Sequence, residues 1–130
     1  MALGRACFPA VASPKFSGLI ISANNLVCSL VMGKHYAEAK ALARKFIPRC
    51  RRALGTEADL TLALRLKYAE VLYCDENARR NDVTEAVAII EDVVKTRRRV
   101  NGLKDPYTEE ALAELKRARM TLEDVAAPAP

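Results

Sequence analysis

Two arginine clusters, Arg49 with Arg51 and Arg52, and Arg97 with Arg98 and Arg99, are the residues of this chain best suited to ionic recognition. A guanidinium is a planar fork of N–H donors, so either cluster can grip a phosphate or the acidic stretch of a partner protein. No aromatic side chains are interleaved with the arginines to stack on bases, which disfavours nucleic acid. Both clusters also close a charged segment of helical composition, where cations complement exposed carbonyls and the helix dipole by about 0.3 to 1 kcal/mol. Asn24 and Asn25 offer a different chemistry. An amide side chain can donate to the carbonyl and accept from the N–H of one extended peptide unit.

Catalytic chemistry finds little support. His35 is the only histidine, it stands in a polar turn, and no GxSxG, HExxH or phosphate-binding glycine loop accompanies it. The adjacent acids Glu91-Asp92 and Glu109-Glu110 point in different directions on a helix, as on a solvated face. Cys7, Cys28, Cys50 and Cys74 are widely spaced without a CxxC pair, so no metal site is expected. Cys28 and Cys74 fall in apolar helical pattern and are expected as reduced thiols in a reducing compartment. No enzymatic activity, cofactor or small-molecule substrate is expected.

These side chains must be carried by helices. Of 130 residues, 51% are hydrophobic and 28% charged, but only 5% are aromatic and Trp is absent, so the core is built from Leu, Ile, Val and Ala. The net charge of +5 is placed towards the N-terminus, since no acid precedes Glu38. Phe16 to Met32 is apolar but short, with Asn24 and Asn25 at its centre, and predicts no membrane span.

The chain repeats itself. Glu38 and Glu85, Gly55 and Gly102, and Thr61 and Thr108 share one offset of 47 residues. A fixed period in a helix-rich sequence predicts an array of hairpins that bury their apolar faces against their neighbours. The apolar period assigns Leu19, Ala23, Leu26, Val27 and Leu30 to the inner face of a first helix. Tyr36, Ala39, Ala43, Phe46, Ile47 and Cys50 mark a second, in which Pro48 predicts a kink or an early end. Leu62, Leu66, Ala69, Leu72 and Tyr73 mark a third, and Val83, Ala86, Val87, Ile90, Val93 and Val94 a fourth. Asp82 and Glu85 give the fourth helix a start like a capping box. Asp105-Pro106 predicts the cap and first position of a fifth, carrying Leu112, Leu115, Ala118 and Leu122. Between Val27 and Ala69 the offset is only 42, so the second hairpin holds five extra residues, expected as a longer loop in Cys74 to Arg80.

The order Asn24-Asn25-Leu26, Gly33, Tyr36-Ala37-Glu38-Ala39, Leu54-Gly55, Tyr68-Ala69-Glu70, Thr84-Glu85-Ala86 and Asp105-Pro106-Tyr107-Thr108 resembles the 42-residue tetratricopeptide repeats of kinesin light chains, across residues 19 to 122. The resemblance implies an all-α, right-handed superhelix of about five helices, with the first helix of each hairpin lining a concave groove. It places Asn24 and Asn25 where asparagines hold peptide backbone, and the 42-residue register sets Lys67 beside Asn25, facing an acidic ligand side chain.

The expected organisation is a flexible arm over 1–17, a repeat domain over 18–123 and a disordered Ala/Pro tail over 124–130. The expected function is a cytoplasmic adaptor or scaffold for a protein or peptide partner of acidic character, contacted by Asn24, Asn25, Lys67, Arg51, Arg52, Arg98 and Arg99. The alternatives are an organelle-targeted structural protein, in plastid or mitochondrion if the arm is a transit peptide, and a basic nucleic-acid-binding module.

Overall fold

A computed structural model of the chain describes residues 15–126. They form five helices: α1 (Lys15–Met32), α2 (Tyr36–Leu54), α3 (Asp59–Cys74), α4 (Arg80–Asn101) and α5 (Pro106–Ala126). The all-helical hairpin array expected from the repeat is the architecture found. Most of residues 1–17 and 124–130 lie outside the described residues; 15–17 belong to α1 and 124–126 to α5.

Each helix packs on the next, and α3 also touches α1 and α5, so it meets every other helix. By contrast, no Cα of α2 comes within 8 Å of α4. The odd-numbered helices therefore form a close inner layer and the even-numbered ones a spread outer layer, which makes the inner side concave.

The core is aliphatic, as the composition requires: Ile20, Val27, Leu62, Leu64, Val71, Val83, Ile90 and Val93 are fully buried. The assigned faces of α2, α3 and α4 all turn inward. That of α1 does so only in part: Ala23 and Val27 are buried and Leu30 packs against the core. Leu19 and Leu26 are 49% and 50% exposed, while Ile20 and Asn24 take their places inside. The segment from Phe16 to Gly33 carries no charge, and only small polar residues such as Ser22 and Ser29 mark its exposed side, so the apolar period fixes its phase weakly. Leu112 is likewise exposed, and Ala111 is buried in its stead.

The two joints between hairpins are copies. Gly55 and Gly102 end α2 and α4 with φ of 99° and 87°, and each donates its N–H to the carbonyl four residues back, Arg51 or Arg98. Positive φ at these positions favours glycine. Ala58 and Asp105 then occupy equivalent caps: Asp105 Oδ2 accepts from the N–H groups of Tyr107 and Thr108, whereas Ala58 offers no side-chain acceptor.

Three local expectations change. Helix α2 does not end at Pro48; it runs on to Leu54, with Pro48 on the exposed side, where solvent meets the carbonyl that the ring leaves without its donor. The five extra residues of the second hairpin are not all loop. Val83 is the counterpart of Tyr36, yet α4 begins at Arg80, so part of the insertion is an added helical turn. Asp82 accordingly sits inside the first turn and accepts from the N–H of Arg79. Finally, Cys50 and Cys74 are free, but Cys28 is disulfide-bonded rather than reduced. It is only half-buried, at the edge of the apolar face of α1, where a second sulfur can reach it.

Candidate functional site

The inner layer exposes one stripe from each helix. On α3 the half-buried or exposed residues Ala63, Lys67, Glu70 and Cys74 recur at helical spacing. The 42-residue register maps Asn25, half-buried, beside Lys67, and the 47-residue register maps Glu114 and Arg117 of α5 beside Lys67 and Glu70.

Charge alternates across this surface. On α3, Lys67 Nζ lies 3.1 Å from Glu70 Oε1; on α5 the order is reversed, with Arg117 Nη2 donating to Glu114 Oε2 at 2.8 Å. Tyr73 donates its hydroxyl to Glu114 and so ties the two helices together. The titrations follow this layout. Burial raises the Glu70 carboxyl and Glu114 adds to it, against the pull of Lys67 and Arg117. Burial works to lower the Lys67 ammonium, but Glu70, Glu110 and Glu114 together outweigh it and raise it. Burial, reinforced by Glu114, pushes the Tyr73 phenol far up, and hydrogen bonds with Tyr73 and Glu114 hold Arg117 firmly charged.

At one end of the stripe a cavity of about 480 Å³ opens between the α1–α2 turn and the α3–α4 loop. Lys34, His35, Tyr36 and Glu38 line one side and Cys74, Asp75, Glu76 and Asn77 the other. The inserted loop is thus a wall, braced by Asp75 Oδ1 accepting from the N–H of Asn77 at 3.0 Å.

The candidate residues separate. Asn24 is 0% exposed and its amide has no protein hydrogen-bond partner, so it belongs to the core and not to the groove. Asn25 and Lys67 share the inner side, but Lys67 is already countered by Glu70. Arg51 and Arg52 end α2, and Arg98 and Arg99 end α4, all exposed and remote from the stripe; Arg99 is paired with Glu57. Arg97, of the same cluster, is 0% exposed. Its guanidinium stands 5.0 Å from the Tyr107 ring centroid, in the register position that Cys50 holds at the first joint. Burial lowers its pKa, while Asp59, Glu110 and Asp105 act to raise it.

A family model for the tetratricopeptide repeat matches residues 19–59 and 78–107. The chain belongs to this family. No curated protein and no solved structure matches it. The two matched stretches of tetratricopeptide sequence cover α1 with α2, and α4 with the start of α5. The unmatched interval holds nearly all of α3, with Leu66-Lys67-Tyr68 where the first hairpin has Asn24-Asn25-Leu26, and most of the inserted loop. Tetratricopeptide repeats mediate protein–protein contact. The residues missed by pattern are Glu70, Tyr73, Glu114 and Arg117; the signal for them was the i, i+3 pair of opposite charges, repeated in reversed order at the 47-residue offset. None of the described helices is long and apolar enough to cross a membrane.

Proposed function

We propose that the chain is an interaction scaffold that binds an extended segment of a partner protein along the inner faces of α1, α3 and α5. The observation that carries this reading is the continuity of polar side chains across the three inner helices: half-buried Asn25, then half-buried Lys67 with Glu70, then buried Glu114 with exposed Arg117. Alternating charges that are already paired make a poor trap for a single ion, but they offer donors and acceptors in succession to a peptide backbone. The kinesin light chain variety is the form of repeat we infer, supported by the 42-residue register of α1 and α3. The ligand is therefore recognised in the groove by its backbone and mixed polarity more than by an excess of acid.

A pulldown with the intact protein, run beside an Asn25→Ala, Lys67→Glu double variant, tests the reading. A partner retained by the parent and lost by the variant, with the variant still folded by circular dichroism, supports the groove. Equal retention by both overturns it.

A further inference from the structure

Helix α2 carries Lys40, Arg44, Lys45, Arg49, Arg51 and Arg52 against the single acid Glu38. Complementing the helix dipole accounts for Arg51 and Arg52 in the last turn, but not for Lys40, Arg44 and Lys45 in the first half, where a cation faces the positive end. Like charges stacked four residues apart, Lys40 on Arg44 and Lys45 on Arg49, also work against the isolated helix.

Some cations of the later helices are paired, although among the described residues Arg80, Lys95 and Arg98 of α4 are not. Arg65, Lys67, Arg99, Arg117 and Arg119 each meet a carboxylate. Among the described residues, none of the six cations of α2 takes part in an ion pair. Arg44 Nε donates instead to the Tyr68 hydroxyl at 2.9 Å, and Lys45 and Arg49 stand 5.7 and 5.3 Å from the Phe46 ring centroid. Neutral groups thus order these cations without an ion pair. At about 100° per residue they form two rows, Lys40, Arg44 and Arg51 on one flank and Lys45, Arg49 and Arg52 on the other. Between the rows runs a low crest of Ala37, Ala41 and Pro48, all exposed.

We propose that this outer face of α2 is a second docking surface, distinct from the groove, for an acidic segment of a partner protein about as long as the helix. The low crest lets a partner chain settle between the rows, where carboxylates on its two sides meet cations on both flanks. The patch ends where α4 begins: Asp82 and Glu85 lie near enough to act on Arg44. A nucleic acid duplex or a membrane surface, extending past α2, would bring its phosphates against those acids. A short acidic peptide would not.

The test is fluorescence anisotropy of a labelled oligoglutamate peptide with the intact protein at low and at physiological salt, beside an oligoglutamine control, a duplex oligonucleotide and phosphatidylserine vesicles. Oligoglutamate is expected to bind, oligoglutamine not, and added salt to weaken the complex. Lys45→Glu, Arg49→Glu and Arg52→Glu together should reduce the affinity about tenfold or more, and the milder change of the same three to Gln should reduce it in the same direction. Asn25→Ala should leave oligoglutamate binding unchanged, which separates this surface from the groove. Failure of oligoglutamate to bind at low salt, tighter binding of the duplex or the vesicles, or equal loss on reversing Arg98 and Lys95 of α4 overturns the proposal.

Discussion

Cys74 is exposed at the end of α3, yet its thiol is pushed up to about 11, first by partial desolvation of the sulfur and then by Glu70 and Glu114. A raised thiol pKa means less thiolate at any pH below it, so alkylation of Cys74 by iodoacetamide should climb with pH towards about 11. Glu70→Gln removes one of the raising charges and should move that inflection down; an inflection at the ordinary cysteine value in the parent would contradict the electrostatics given for the stripe. Asn24 makes the opposite case, a polar group inside an aliphatic core. Leu66 occupies its register position on α3 and is buried. Asn24→Leu removes an amide that has no protein partner and should raise stability by about 1 to 3 kcal/mol in a urea titration. A loss would mean that the amide is satisfied in solution. The apolar period of α1 does not reveal this burial, because Asn24 and Asn25 are identical neighbours and no charge near them marks the outer side; the signal was the 42-residue register, which sets Asn24 at the position of the inward Leu66.

Three of the five helix faces were legible; that of α1, which has no charge after Lys15, was legible only in part, and in α5 the period turns Leu112 inward where Ala111 is the buried residue. The faces of α2, α3 and α4 follow from sequence because charged or polar residues interrupt the apolar period on the solvent side, as Arg44, Arg65 and Asp92 do. Leu72 and Ile90 lie in the seam between α3 and α4, and both are buried. Truncating either to Ala should cost about 2 to 4 kcal/mol by chemical denaturation, with the unrelaxed part of the cavity setting the spread. The copied joints give a prediction in the stabilising direction. Ala58 has the extended backbone of a cap, φ −63° and ψ 143°, but no acceptor, whereas Asp105 at the second joint has one. Ala58→Asp should stabilise α3 by about 0.5 to 2 kcal/mol, read as a higher thermal midpoint. The insertion was placed correctly along the chain, but its division between loop and helix was hidden, since Arg79 to Asp82 suits a loop by composition and becomes helical through the bond from the Arg79 N–H to Asp82.

Among the described residues, α3 is the only helix that touches the other four. Local opening in a helical array is governed by the number of neighbours each helix must leave. Amide hydrogen exchange should therefore be slowest in the middle of α3 and faster in α1 and α5. Slower exchange in α5 than in α3 would be at odds with this arrangement. The groove itself was foreseeable only in outline: the register that sets Lys67 beside Asn25 and the i, i+3 spacing that pairs Lys67 with Glu70 are written in the sequence, but the cross-tie from Tyr73 to Glu114 depends on how closely α3 and α5 approach.

The two joints keep one length, Gly55 to Asp59 matching Gly102 to Pro106, while the two hairpins do not. Joint length sets how one unit stacks on the next; hairpin length sets only how far a loop projects beside the groove. For divergence after duplication, this makes the hairpin turns the tolerant sites. Length changes there can reshape the mouth of the cavity while the pitch of the array is inherited unaltered.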